Sequence, residues 1–126
     1  MKESQSEKSV LVVEDDVAIR AALCELLEFE GYKVFQAVDG KQALETLKSG
    51  LRPDLILLDL MMPVMSGSRF REEQMIDPAI AHIPVVVLSA DSNIKNVSEK
   101  LRVNRFLRKP VNLDELLATI QQSLTV

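Results

Sequence analysis

Short unbroken apolar runs alternate along the chain with stretches whose apolar residues recur every three or four positions. The run over 10–13 is continuous rather than alternating, which predicts a strand covered on both faces. A helix is predicted over about 17–30, with Ile19, Leu23, Leu26 and Leu27 on one face and Gly31 as its C-terminal stop. Residues 33–37 read as a second strand. Asp39 and Gly40 then turn the chain into a short helix bearing Ala43, Leu44 and Leu47, closed by Gly50.

The wholly apolar run 55–58 predicts a third strand. A loop containing Pro63 and Gly67 leads into a third helix that ends before Pro78. Pro84 introduces a fourth strand over 85–88, and the spacing of Ile94, Val97 and Leu101 predicts a fourth helix. Residues 105–107 form a short fifth strand, stopped by Pro110. Asn112 and Glu115 have the spacing of a capping box, and Leu113, Leu116, Leu117, Ile120 and Leu124 stripe the last helix.

Five strand–helix units imply an α/β protein, a mostly parallel sheet with helices on both faces. Right-handed crossovers favour a flavodoxin-like (βα)5 three-layer sandwich with strand order 2-1-3-4-5. Sites in such sheets form beyond the carboxyl ends of the strands, near the switch between strands 1 and 3. Chemistry is therefore expected at those ends.

Composition narrows the class. A chain of 126 residues suits one domain, here 9–126 after a flexible polar tail over 1–8, and 47% apolar residues suffice for a core. A net charge of −4 gives no broad footprint for direct nucleic-acid binding. Cys24 is the only cysteine, so no intramolecular disulfide forms; its apolar helical setting marks it as a small core filler in a reducing compartment. The opening MKESQSEKS lacks the apolar segment of a secretory signal, and no apolar run reaches membrane-spanning length. A cytoplasmic domain, with no membrane partner, is expected.

Four strands end in groups suited to phosphate and metal chemistry. The first runs into Glu14, Asp15 and Asp16, the third into Asp59, the fourth into Ser89, and the fifth into Lys109 and Pro110. Any one of these alone has an ordinary structural explanation; Asp16, for example, reads as a helix cap. Crowded carboxylates repel by roughly 4 kcal/mol per pair at about 4 Å and an effective dielectric near 20. They require a countercharge, and hard oxygen ligands with open water positions suit Mg²⁺.

VLVVEDD, PDLILLDLMMPVMSG, VVVLSAD and FLRKP, in that order, resemble the motif set of response-regulator receiver domains, from about Ser9 to Leu124. The resemblance implies a two-component signalling domain, a phosphoacceptor rather than an enzyme acting on an external substrate. Asp59 would be the phosphoacceptor nucleophile. Glu14, Asp15, Asp59 and the backbone carbonyl of Met61 would hold Mg²⁺, with Mn²⁺ a possible substitute. Ser89 and Lys109 would bind the phosphoryl group, Ser89 and Phe106 would form the switch pair, and the bond before Pro110 is often cis in the family. The donor would be a histidine kinase or histidine phosphotransfer protein. The output would be a downstream protein or a fused domain, with the receiver a monomer or weak dimer. Ending just after the fifth helix fits either a stand-alone regulator or a domain of a longer protein.

Three departures stand out. Arg102 and Val103 replace the Gly-Ala pair that gives relatives a left-handed stop after the fourth helix. A branched residue resists positive φ, so a different ending or another helical turn is expected. Arg102, Arg105 and Arg108 also make that neighbourhood basic. Arg71 and Gln74 stand where relatives often carry leucine, predicting a weakly packed or irregular third helix whose apolar residues are Phe70, Met75 and Ile76. Met61 and Asp91 flank the site at variable positions, and only Asp91 is equipped to orient an attacking water. His82 falls in a loop away from the strand ends and reads as a surface histidine.

Three other functions are weighed by the pattern. A pseudo-receiver would bind partners without phosphorylation. A haloacid-dehalogenase-type phosphohydrolase also uses a strand-end Asp and Mg²⁺, but would need a second Asp where this chain has Met61. A flavin-binding protein would need a phosphate loop after the first strand, where the acidic triplet would repel the ligand.

Overall fold

A computed structural model describes residues 8–62 and 64–124. The expected tail, except Lys8, and Pro63 of the expected loop lie outside these residues. The order is β1 (Ser9–Val13), α1 (Val17–Phe29), β2 (Lys33–Ala37), α2 (Gly40–Lys48), β3 (Leu55–Asp59), α3 (Gly67–Met75), β4 (Val85–Ser89), α4 (Ile94–Lys100), β5 (Arg105–Arg108) and α5 (Leu113–Leu124). All strand pairs are parallel, and the order is 2-1-3-4-5, as the pattern of runs implies.

The continuous runs become strands because both faces of the sheet are covered. Leu11, Val13, Ile56, Leu58 and Val87 pack with α2, α3 and α4 on one face. Val10, Val12, Leu55, Leu57 and Leu88 pack with α1 and α5 on the other. Cys24 is buried in this second layer, where burial first and Glu28 second push its thiol upward, as a core filler would show. No helix among the described residues is long and apolar enough to cross a membrane.

The helix stops follow local chemistry. Gly31 and Gly50 take φ of 98° and 114°, and Asn112 caps α5 by accepting the Glu115 N–H at 2.9 Å. The stripes are narrower than predicted: Ile19, Ile76 and Leu113 are exposed. On α3 and α5 the remaining inward positions include Arg71, Gln74 and Ser123.

Neither expected outcome at the end of α4, a different ending or another helical turn, occurs: the left-handed stop forms without glycine. Arg102 adopts φ of 58°, and the Val103 N–H closes the turn onto the Ser98 carbonyl at 2.9 Å. Arg71 holds this strained stop from outside: its Nε donates to the Leu101 carbonyl at 3.0 Å and its Nη2 to the Arg102 carbonyl at 2.9 Å.

The expectation of a weakly packed or irregular third helix fails for the same reason. α3 is regular, and Arg71 and Gln74 are among its most buried residues. Arg71 Nη1 donates to Gln74 Oε1 at 2.7 Å, while Gln74 Nε2 donates to the Ile80 and Ile83 carbonyls, each at 3.0 Å. A buried polar pair with its hydrogen bonds made carries no desolvation penalty for unpaired groups, so it is accommodated in the core.

Candidate functional site

β1 and β3 pair Val13 with Leu58, so the next residue on each strand, Glu14 and Asp59, emerge side by side. Both are nearly fully buried, at 1% and 2% exposure. Asp15 follows in the loop and is exposed. Asp16 turns away to cap α1, accepting the Ile19 N–H at 2.9 Å, as the sequence predicts. Ligand oxygens of Glu14, Asp15 and Asp59 all lie within 4.8 Å of one another.

Strand 5 supplies the opposing charge. β4 and β5 pair Ser89 with Arg108, and the Lys109 N–H donates to the Ser89 carbonyl at 3.0 Å. The ammonium thereby reaches the carboxylates: Nζ donates to Glu14 Oε1 at 2.8 Å and stands 3.4 Å from Asp59 Oδ2. The bond from Lys109 to Pro110 is cis, as expected. Burial alone would lower the lysine's pKa, but the hydrogen bond to Glu14 and the charges of Asp59 and Glu14 together raise it.

Asp59 is pushed up to about 7, first by burial and second by the charge of Glu14. Lys109 and the Met61 N–H, which donates to Asp59 Oδ1 at 3.2 Å, pull the other way and do not prevail. Two buried carboxylates share one ammonium, and a further cation would relieve the deficit. Three hard oxygen donors in this arrangement, beside an open cavity of about 240 Å³, fit a small divalent cation such as Mg²⁺.

The remaining predicted residues are distributed around this centre. Ser89 is buried at the end of β4, its Oγ accepting the Asp91 N–H at 3.0 Å. Phe106 pairs with Val87 two positions earlier, so it lies on the same sheet face as Ser89 and packs, half-buried, against the core layer there. The Met61 side chain is 71% exposed and lines the cavity with Asp15 and Lys109. Asp91 is exposed, and its Oδ1 accepts the Asn93 N–H at 2.8 Å. His82 is exposed in its loop before β4, apart from the centre.

Two supporting residues escape a reading of strand ends alone. Arg20, one helical turn beyond the acidic triplet, donates from Nη1 to the Glu14 carbonyl at 2.7 Å and fixes the backbone that aims Glu14. The only signal was a basic residue four positions after Asp16. Gly67 opens α3 directly behind Asp59: a Cβ there would collide with the Asp59 carbonyl oxygen and lie 2.7 Å from the Leu60 Cα. Its N–H donates to the Leu60 carbonyl at 3.0 Å, locking the start of α3 against the end of β3.

Comparison with known proteins agrees with this arrangement. The response regulator receiver domain family matches residues 10–121. The chain is 36% identical to the DNA-binding dual master transcriptional regulator RpaA of Synechocystis, over 91% of this chain and 48% of that protein. It is 31% identical to the polar-differentiation response regulator DivK of Brucella anthropi, over 93% of this chain and 96% of that protein. Among solved structures, the chemotaxis response regulator CheY4 of Vibrio cholerae superposes with a TM-score of 0.85 at 31% identity, covering 93% of this chain and 98% of that one. A sensor histidine kinase receiver domain from Pseudomonas aeruginosa, with magnesium in its active site cleft, gives 0.86 at 26% identity, covering 94% and 98%. The chain spans 12% of one curated relative it matches, the sensor histidine kinase TmoS, and about half of RpaA.

Proposed function

This chain belongs to the response-regulator receiver family, and from that premise we propose that it accepts a phosphoryl group on Asp59 from a histidine kinase or histidine phosphotransfer protein. One observation carries the reading: Asp59 ends β3 beside the carboxylate of Glu14, with the ammonium of Lys109 reaching both, next to a cavity open to solvent. Ionised, the Asp59 carboxylate attacks phosphorus in line, forms a P–O bond and displaces the donor's imidazole nitrogen. Lys109 then holds a phosphoryl oxygen as a point charge. Ser89 gives up the Asp91 N–H contact so that its hydroxyl donates to another oxygen.

Glu14, Asp15, Asp59 and the Met61 carbonyl are the proposed Mg²⁺ ligands. When bound, the ion supplies charge shielding for the incoming phosphoryl oxygens. Glu14 and Asp15 also exclude a bare phosphate when no cation is present, by repulsion.

The consequence is a two-state switch. New phosphoryl contacts draw Ser89 inward, and Phe106, on the same face, fills the space left behind. The face built by α4, β5 and α5 changes shape and transmits the signal to a downstream protein or an attached output domain. Ile19, Leu113 and Pro110 line an apolar hollow of about 260 Å³ beside Lys109, a natural seat for the donor protein in the cytoplasm.

Incubation with acetyl phosphate tests the reading. The expected result is a Mg²⁺-dependent adduct that hydroxylamine removes, the signature of an acyl phosphate. No adduct in saturating Mg²⁺ would leave a phosphorylation-independent binding module.

A further inference from the structure

A cleft of about 630 Å³ opens between α3 and α4, against about 240 Å³ at the acidic site, and the two share no residue. Its apolar walls are Met75 and Ile76 on one side and Val97 and Leu101 on the other. Ile76 is 77% exposed, an apolar side chain that the fold leaves in water. The charged groups at the cleft are unbalanced: Arg71, Lys100 and Arg102 face a single carboxylate, Glu72, an excess of two positive charges.

Arg71 is the unusual member. It is 7% exposed, and among the described residues its guanidinium donates only to the Leu101 and Arg102 carbonyls and the Gln74 amide oxygen. No carboxylate pairs with it among the described residues. A buried cation satisfied by neutral acceptors keeps its full charge and projects a positive potential into the space it lines. The cleft volume falls within the roughly 300–1,000 Å³ of small-molecule sites, and the lining has their character, apolar with a few convergent polar groups.

We propose that the α3–α4 cleft binds a small amphiphilic anion, a medium-chain carboxylate whose apolar body lies on Met75, Ile76 and Val97 and whose head group faces Lys100 and Arg102. The charge excess selects an anion over a neutral or cationic amphiphile, and the apolar walls select a body of several methylenes over inorganic phosphate. An occupant would bridge α3 to the left-handed stop of α4 that Arg71 already holds.

Amide chemical-shift titration of the ¹⁵N-labelled chain with octanoate tests this, with 1-octanol and octylammonium as matched probes. Saturable shifts are expected at the amides of 71–76 and 97–103, with octanoate binding about five-fold or more tighter than either control. Ile76→Asp, at an exposed position, and Arg102→Gly should each weaken octanoate by about five-fold or more. Arg102→Gly also relieves the positive φ at this residue, so its melting temperature should not fall, which separates lost binding from lost folding. Absence of saturable shifts in this cleft would overturn the proposal. So would 1-octanol binding as tightly as octanoate, or unchanged affinity in folded Arg102→Gly.

Discussion

Lys109 is held more tightly by Glu14 than by Asp59, at 2.8 Å against 3.4 Å. The lysine is therefore the countercharge of a buried carboxylate pair. Replacing it with glutamine removes that charge and leaves Glu14 and Asp59 to repel. In chelator, Lys109→Gln should be less stable by about 1–3 kcal/mol, below the ~3–5 kcal/mol typical of fully buried pairs because the lysine is partly exposed. Excess Mg²⁺ should recover part of the loss, as read by urea midpoints with and without the ion.

The elevated pKa of Asp59 predicts a pH dependence with a definite sign. Its folded value, about 7, lies above its ordinary 3.8, so the native state keeps a proton that the unfolded chain has released between those values. Wild-type stability in chelator should therefore fall, relative to Asp59→Asn, as pH rises through this window, and level off above it. Below the ordinary value, where both states are protonated, this group contributes no difference. Thermal melts of the two proteins from pH 4.5 to 8 test this. A gap that narrows with rising pH would mean that Asp59 is stabilised as a carboxylate by a partner.

Arg71→Leu restores the apolar residue that the helix pattern favours, yet should destabilise. It strands the Leu101 and Arg102 carbonyls and the Gln74 amide oxygen, which now accept from the guanidinium. One buried acceptor left unpaired costs about 1–3 kcal/mol, and the loss should appear in the denaturant midpoint. Hydrogen exchange should quicken at the Val103 amide, which closes the stop of α4.

Gly67→Ala places a methyl against the Asp59 carbonyl oxygen, where only backbone can yield. The expected loss is about 1–3 kcal/mol of stability. Because the displaced atoms belong to the peptide of Asp59 itself, Mg²⁺ affinity should weaken as well. Calorimetric Mg²⁺ titration distinguishes this from a loss of stability alone.

The centre of the sheet was legible because β1, β3 and β4, buried on both faces, write themselves as unbroken apolar runs, and the site because those runs end in Glu14, Asp59 and Ser89, with Lys109 after the shorter Arg-Phe-Leu-Arg strand. Arg71 and Gln74 were not legible for the opposite reason. Their partners are backbone carbonyls at 80, 83, 101 and 102, and no side-chain pattern advertises a carbonyl. Arg102 misled in the same way: intrinsic preference resists its φ, but contacts from α3 hold the conformation. Ile19 and Leu113 fit the helical period yet remain exposed, because they sit at helix starts beside the site, beyond the reach of the core.

The central claim is that Asp59 itself receives the phosphoryl group. Intact mass spectrometry after treatment with acetyl phosphate and Mg²⁺ tests it most directly, comparing the wild-type chain with Asp59→Asn. A single phosphoryl increment on the wild type and none on the variant is the predicted result. An increment of equal occupancy on Asp59→Asn, or none on the wild type, would contradict the account.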